Sequence, residues 1–510
     1  MHRLFFAVLS VMLMAASAHA LELTPAGTYS SGIFNESAAE IVAFDPEGKQ
    51  VYVVNAHKNV VDVLDVSDIA KPVKKTSFDF SRYGKGANSV AYHDGMIAVA
   101  VEADPKQAPG HVVVVDRMGR TLAAFRVGAL PDMVTFSPNG KYILAACEGE
   151  PNDDYSNDPE GSVSVIDISA GLDKAVNHSV RFTAFNPVKE HLQAQGVRIS
   201  HPGSTVAQDL EPEYIAVSPD SRLAFVTLQE NNSVAVVDIA EARVTKILPL
   251  GLKDWSGLVM DASDKDGAIN LKHWPVYSAY MPDGVSAFAM DGRNYFITAN
   301  EGDSREYGDY ADEKRLGKAD LDSKAFPDGE ALKDKKALGR LKTIPDLSDT
   351  DGDGDYDRIV AFGGRSFSIW DENGGLVFDS GDMFERFLAR DHAEWFNATN
   401  DENKFDDRSD DKGTEPESAE IGVIDGRTYV FVGLERMGGI MVFDITDPRK
   451  PAFVTYRLDR DFSGDPGKGT AGDLGPEGLL FVPASESPSG TPLLIVGNEV
   501  SGTTTIYTVQ

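Results

Sequence analysis

Cysteine is almost absent: Cys147 is alone in 510 residues. No disulfide can form within the chain, and neither a thiolate metal cluster nor a disulfide scaffold is possible. Histidine is scarce too, at 10 residues, which leaves oxygen as the main ligand chemistry. After the first twenty residues no apolar run is long enough to cross a bilayer. Positive charge is also short, with 48 Lys and Arg against 80 Asp and Glu, a net charge of −32. Such a field repels nucleic acid and anionic membrane, and it attracts divalent cations. Acidity by itself also keeps an exported protein in solution.

What is present begins with a leader. "MHRLFFAVLSVMLMAASAHA" has a basic start, an apolar run and the small-residue site Ala18-His19-Ala20, the layout of a secretory signal with cleavage expected after Ala20. The apolar run is short for a membrane anchor, and no cysteine stands near the cleavage site for lipidation. The expectation is a chain exported to the periplasm or medium without a membrane anchor.

Residues 21–510 read as one repeating domain. "EIVAFDPEGKQVYVVNAHKNVVDVLDV" from Glu40, "DMVTFSPNGKYILAACEGE" from Asp132 and "EYIAVSPDSRLAFVTLQENNSVAVVDI" from Glu213 share one rhythm. An alternating strand leads to a turn, a second apolar strand and a polar break. Looser copies start at Asn88, Gly284, Ala419 and Glu477, making seven units. Short strands with turn residues at regular spacing predict an all-β, seven-bladed β-propeller. The final unit supplies three strands, so "LELTPAGTYSSG" is expected to close the ring as its fourth. A polar stretch at about 304–357 reads as an insertion in blade five, with outer strands resuming at "RIVAFGGRSFSIWDENGGLVFDSG". An eighth blade around Ile359 to Asp379 is the alternative, but that segment lacks the acidic strand end of the others.

In an antiparallel blade the first strand starts, and the second ends, on the same face of the disc. First-strand starts carry Glu40, Asn88, Asp132, Glu213, Asp283, Glu417 with Glu420, and Glu477. Second-strand ends carry Asn55, Glu102, Glu148, Glu150, Glu230, Glu301, Glu435 and Glu499. Both sets should converge near one mouth of the central channel. So many carboxylates need solvent, arginine or cations. Oxygen ligands without clustered cysteine or histidine favour calcium, magnesium or manganese. The alternative is a solvated rim whose acids cap backbone donors. "DTDGDGDYD", with Asp349, Asp351 and Asp353 at alternate positions before Gly354, is a truncated calcium loop in which Val360 replaces the closing Glu; an acidic surface turn is its alternative.

"NAHKNVVDVLDV", "NEGDSREYGDY", "LERMGGIMVFDI" and the terminal "GPEGLLFVPASESPSGTPLLIVGNEVSGTTTIYTV" resemble the bacterial choice-of-anchor I family, related to mesenchyme-specific cell-surface glycoprotein-like propellers. The resemblance implies a secreted or surface-attached YVTN/WD40-like propeller, with kinship to atypical alkaline phosphatases and phytase-like esterases. Phosphoester hydrolysis would need cations and a basic group against the phosphate. Glu301, Asp303, Glu148, Glu150, Glu213 and Glu499 are the first candidate ligands, then Glu477 and Glu435. Arg305, Arg436 and Lys58 are candidates to hold phosphate, and His57 to carry a proton. The rival function is a non-catalytic scaffold for a protein, glycan or surface partner.

Overall fold

The computed structural model describes residues 21–510, so the leader read over residues 1–20 lies outside the described residues. The described chain is all-β and propeller-like. Seven of its sheets are four-stranded and antiparallel, and six of these order their strands as the sequence does. The seventh joins Pro476–Val482, Leu493–Asn498 and Thr503–Val509 to Leu23–Ser30, which pairs antiparallel with Thr503–Val509.

Local chemistry explains the repeated unit. Between Val42–Asp45 and Gln50–Asn55 the Asp45 carboxylate accepts from the backbone N–H groups of Glu47 and Gly48, both at 3.0 Å. The aspartate itself therefore folds the chain back. Val51, Tyr52, Val53 and Val54 are all buried, although successive strand residues point to opposite faces. Both faces of the sheet must then be covered, and its neighbours cover them. Val42, Val51 and Val53 pack with Val482, Leu493 and Ile495 of the last sheet, while Tyr52, Val54 and Val63 pack with Val90, Ile97 and Val99 of the next. Each further neighbouring pair shares one such apolar cluster, through to Phe431 and Val442 against Leu494 and Val496. At roughly 1.5–3 kcal/mol per buried aliphatic side chain, these shared layers are the main cohesion between sheets.

All seven first strands contribute to one central cavity of about 730 Å³, lined for example by Val42, Val90, Val134, Ile215, Val285, Glu420 and Leu480. Their starting ends define the acidic mouth.

The fifth sheet is interrupted. Arg293–Asn300 pairs with Ser366–Asp371, and the chain between them makes an excursion. That excursion runs on past the 304–357 range. Ile359–Ala361, read from sequence with the outer strands, instead pairs parallel with Val276–Ala279 in a separate five-stranded sheet. Leu252–Asp254, Lys314–Arg315 and Lys342–Thr343 complete it, over a core containing Trp255, Leu316, Leu341 and Tyr356. The two stretches 252–281 and 304–357 thus fold together. A glycine pair permits the crossing: at Gly363 (φ 74°) a Cβ would sit 1.9 Å from the Glu301 carbonyl oxygen, and at Gly302 (φ 90°) 2.4 Å from the Gly363 nitrogen. Only glycine fits either position.

Candidate metal centre at the channel mouth

Five of the seven first strands open on a proline followed by an acid or begin within three residues of one: Pro131-Asp132, Pro212-Glu213, Pro282-Asp283, Pro416-Glu417 and Pro476-Glu477. Proline fixes φ and offers no N–H, so the ladder is broken where the acid stands. The register shifts between Pro131 and Val134, between Pro416 and Ala419, and between Pro476 and Leu479. A bulge of this kind re-aims a side chain. Asp132, Asp283 and Glu477 accordingly line one cavity of about 300 Å³ with Glu40, Glu102, Glu148 and Glu150.

Two triads form around one residue. Asp283, Glu417 and Glu477 each bring an oxygen within 4.8 Å of the others, and so do Glu301, Glu417 and Glu435. Glu417, shared by both, is buried, and its Oε2 has no hydrogen-bond partner. Burial, with the charges of Glu301, Glu477 and Asp283, pushes its carboxyl well above the ordinary range. Burial and neighbouring carboxylates do the same to Glu148, Glu213 and Glu477. Burial and then Glu499 push Glu40 up to about 8; burial and then Asp283 push Asp132 up to about 7. Divalent cations answer this geometry: an orphaned buried oxygen among convergent carboxylates is a donor set for a hard ion.

A second set of acids is already neutralised. Arg305 donates to Glu211 Oε2 from Nε (3.0 Å) and Nη2 (2.9 Å), and to Ser200 Oγ (2.8 Å) and the Asp209 carbonyl (2.8 Å). Its guanidinium is buried and committed to protein. The sequence expectation of a phosphate-facing Arg305 is therefore corrected: it compensates Glu211 and Asp209. Glu415 takes Arg408 at 2.6 Å, Arg436 at 3.0 Å and Lys412 at 3.3 Å. Burial opposes its ionisation, yet Lys412, Arg408 and Arg436 together hold it well below the usual carboxylate range.

Between the two sets lies a polar cavity of about 410 Å³ lined by Glu150, Glu230, Asp303, Lys342, Arg408, Lys412 and Arg436. Lys412 bonds Glu301 at 2.5 Å and stands 3.5 Å from Asp303. Arg436 meets Glu435 at 3.0 Å. Glu150 pairs with Lys106 and accepts from the Tyr307 hydroxyl at 2.9 Å.

Glu301, Asp303, Glu148, Glu150, Glu477 and Glu435 are thus brought to this mouth; Glu213 is repelled by Glu230, Asp283, Glu148 and Asp132, and Glu499 acts through its charge on Glu477. Asn300 turns inward, donating to Ser366 and Ser368, and offers the mouth no ligand. His57 and Lys58 form an exposed turn, with His57 Nδ1 3.3 Å from Glu36, and neither lines the mouth cavities. Asp349, Asp351 and Asp353 do converge, but in the inserted region; Asp349 accepts from Gly352 (2.7 Å) and Gly354 (3.0 Å), capping the turn itself. Val360, at the position of the missing closing ligand, is buried in the inserted sheet. Asp283 and Glu417 were placed at the mouth by the repeat but not ranked among its ligands, and Lys412, the main cation, was not picked out from sequence. The proline-acid doublet would have ranked the first two higher.

Three solved structures align over most of the chain. They are a Kuenenia stuttgartiensis hydrazine synthase chain (14% identity, 94% of this chain and 98% of that one, TM-score 0.45), the Cps50 (Swd1) β-propeller domain of Myceliophteria thermophila (10%, 96% and 100%, 0.46) and streptogramin B lyase (10%, 96% and 97%, 0.45). The mesenchyme-specific cell surface glycoprotein of Strongylocentrotus purpuratus is 29% identical over 314 residues, 52% of this chain and 40% of its own length. Gigasin-3a of Magallana gigas is 29% identical over 170 residues, 31% of this chain and 60% of its own length. The chain spans less than two thirds of either relative. The choice-of-anchor I domain matches residues 40–448, and the chain belongs to that family.

Proposed function

We propose that the chain is an exported seven-bladed β-propeller, closed by Leu23–Ser30, whose channel mouth holds divalent cations, calcium first, and hydrolyses phosphate esters beside them. The observation that carries this reading is Glu417, which is shared by two carboxylate triads and has an unpartnered Oε2. Ring closure is supported by the apolar cluster that the last sheet shares with the first. Export is supported by the leader and by the cell-surface name of one relative. No helix among the described residues is long and apolar enough to cross a membrane.

A bound divalent cation supplies positive charge against phosphoryl oxygens. The chain's own part is positioning: Lys412 and Arg436 line the 410 Å³ cavity next to Glu301 and Glu435, where an ester dianion would meet them. The test is turnover of p-nitrophenyl phosphate and bis(p-nitrophenyl) phosphate with calcium, magnesium or manganese, by wild type and Glu417→Gln. Metal-dependent hydrolysis lost in the variant is expected; metal-loaded wild type inert on both esters sinks the catalytic reading.

One observation favours the non-catalytic alternative, a cation-dependent scaffold for a protein or glycan. Lys412, Arg436 and Arg408 are all already bonded to carboxylates, which weakens their hold on a further anion. That reading expects calcium to raise the melting temperature with no ester turnover.

A further inference from the structure

We infer that the chain holds another cation, of the calcium class, between the buried side chains of Glu385, Asn397 and Asp406, with Asp261 beside them. None of the four lines either mouth cavity, and the inference does not depend on the function proposed there. Each is at most 2% exposed. They come from separate stretches: Asp261 from the loop after Leu252–Asp254, Glu385 from the helix Met383–Asp391, and Asn397 and Asp406 from the chain that follows it.

Two residues tie the four together. Arg365 Nη1 donates to the Asp261 carbonyl (2.8 Å) and to Glu385 Oε1 (2.6 Å), while Nη2 donates to the Ser409 carbonyl (2.8 Å). Ser409 Oγ accepts from Asn397 Nδ2 (2.8 Å) and donates to Asp406 Oδ1 (2.6 Å). With those bonds made, three side-chain oxygens are left over. Glu385 Oε2, Asn397 Oδ1 and Asp406 Oδ2 are buried and have no hydrogen-bond partner.

Orphaned buried acceptors are costly, and here they belong to different residues linked to one serine and one arginine. Protonating Glu385 or Asp406 leaves the Asn397 amide oxygen without a partner. The amide oxygen of Asn397 needs a positive partner in any case. Charge leads to the same answer. Of the three carboxylates only that of Glu385 meets Arg365; that of Asp261 accepts from the Ser263 and Asn270 N–H groups, and that of Asp406 meets no basic group among the described residues, so a cation supplies the missing positive charge. Carboxylate and amide oxygens with no nitrogen or sulfur are the donor set of calcium.

The probe is calcium itself, counted per chain after dialysis of full-length mature protein, wild type against Asp406→Asn and Glu417→Gln. Asp406→Asn is expected to lose one calcium ion per chain and keep those of the mouth; Glu417→Gln is expected to keep this one. Asp406→Asn that is folded by circular dichroism and retains the wild-type calcium count overturns the inference. Asn397→Asp decides the matter if Asp406→Asn does not fold. Asn397 lies at φ 46°, which aspartate also tolerates, so the substitution adds one buried charge without backbone conflict. Its melting temperature should fall in chelator and recover in calcium. A deficit unchanged by calcium, or no folding under either condition, overturns the site.

Discussion

Two sets of buried carboxylates stand side by side at the channel mouth, and the fold treats them oppositely. Glu211, Asp209 and Glu415 are bonded to Arg305, Lys412, Arg408 and Arg436. Glu40, Asp132, Glu148, Glu213, Asp283, Glu417 and Glu477 form no ion pair among the described residues, and the charges around them repel all but Asp283, which also feels Lys412. The first set is complete without a ligand and locks strand ends together. The second stores repulsion that only protons or cations relieve. The cation binding proposed for this mouth therefore rests on what the protein leaves uncompensated.

The sharpest way to probe the difference is to strip the paired set of its cation. Arg305→Met leaves Glu211 buried without a donor and Asp209 without its cation, and should cost about 3–5 kcal/mol in chemical denaturation, with or without calcium. Calcium rescue of that loss would place Arg305 in the uncompensated set instead.

Acidity comes next. Glu40, near 8, and Asp132, near 7, sit above their unfolded values, so the folded protein binds more protons than the unfolded chain between about pH 4 and 8. The stability they confer is full below that window and is lost as pH rises through it, where a pKa difference of one is worth about 1.4 kcal/mol. Metal-free protein should melt lower at pH 8 than at pH 5.5, and calcium should restore more at pH 8. Glu415 runs the other way: its carboxyl is depressed, so its stabilisation is present at neutral pH and is lost only as pH falls below the ordinary carboxylate range. A metal-free melting temperature that rises steadily from pH 5.5 to 8 would contradict this assignment.

Glu417→Gln should do the reverse of Arg305→Met. Removing one repelling charge stabilises the chelated protein by about 1 kcal/mol and blunts its response to calcium. Destabilisation in chelator would show that Glu417 is a paired structural acid. His57→Ala and Lys58→Ala, on the exposed turn, should shift stability by no more than about 0.5 kcal/mol and leave calcium binding unchanged.

Strand rhythm was legible in the sequence because turn chemistry is local: Asp45 folds its own hairpin through bonds two and three residues on. The acidic mouth was legible too, since the strand-end position of Glu301 or Glu477 is set by the repeat. What escaped depends on distant partners. Arg305 follows an acidic strand end in sequence, but its bonds run to Ser200, Asp209 and Glu211, about a hundred residues away. Lys412 reaches Glu301 from a stretch with no repeat pattern. Ile359–Ala361 is apolar enough for either sheet, and only its parallel pairing with Val276–Ala279 decides between them.

The pairing of Leu23–Ser30 with Thr503–Val509 also sets an order in time. One sheet cannot be finished until Thr503–Val509 has been made. Until then its partners, Leu23–Ser30 among them, present bare strand edges, which are templates for pairing with another molecule. Holding the young chain unassembled is therefore a requirement of its biogenesis.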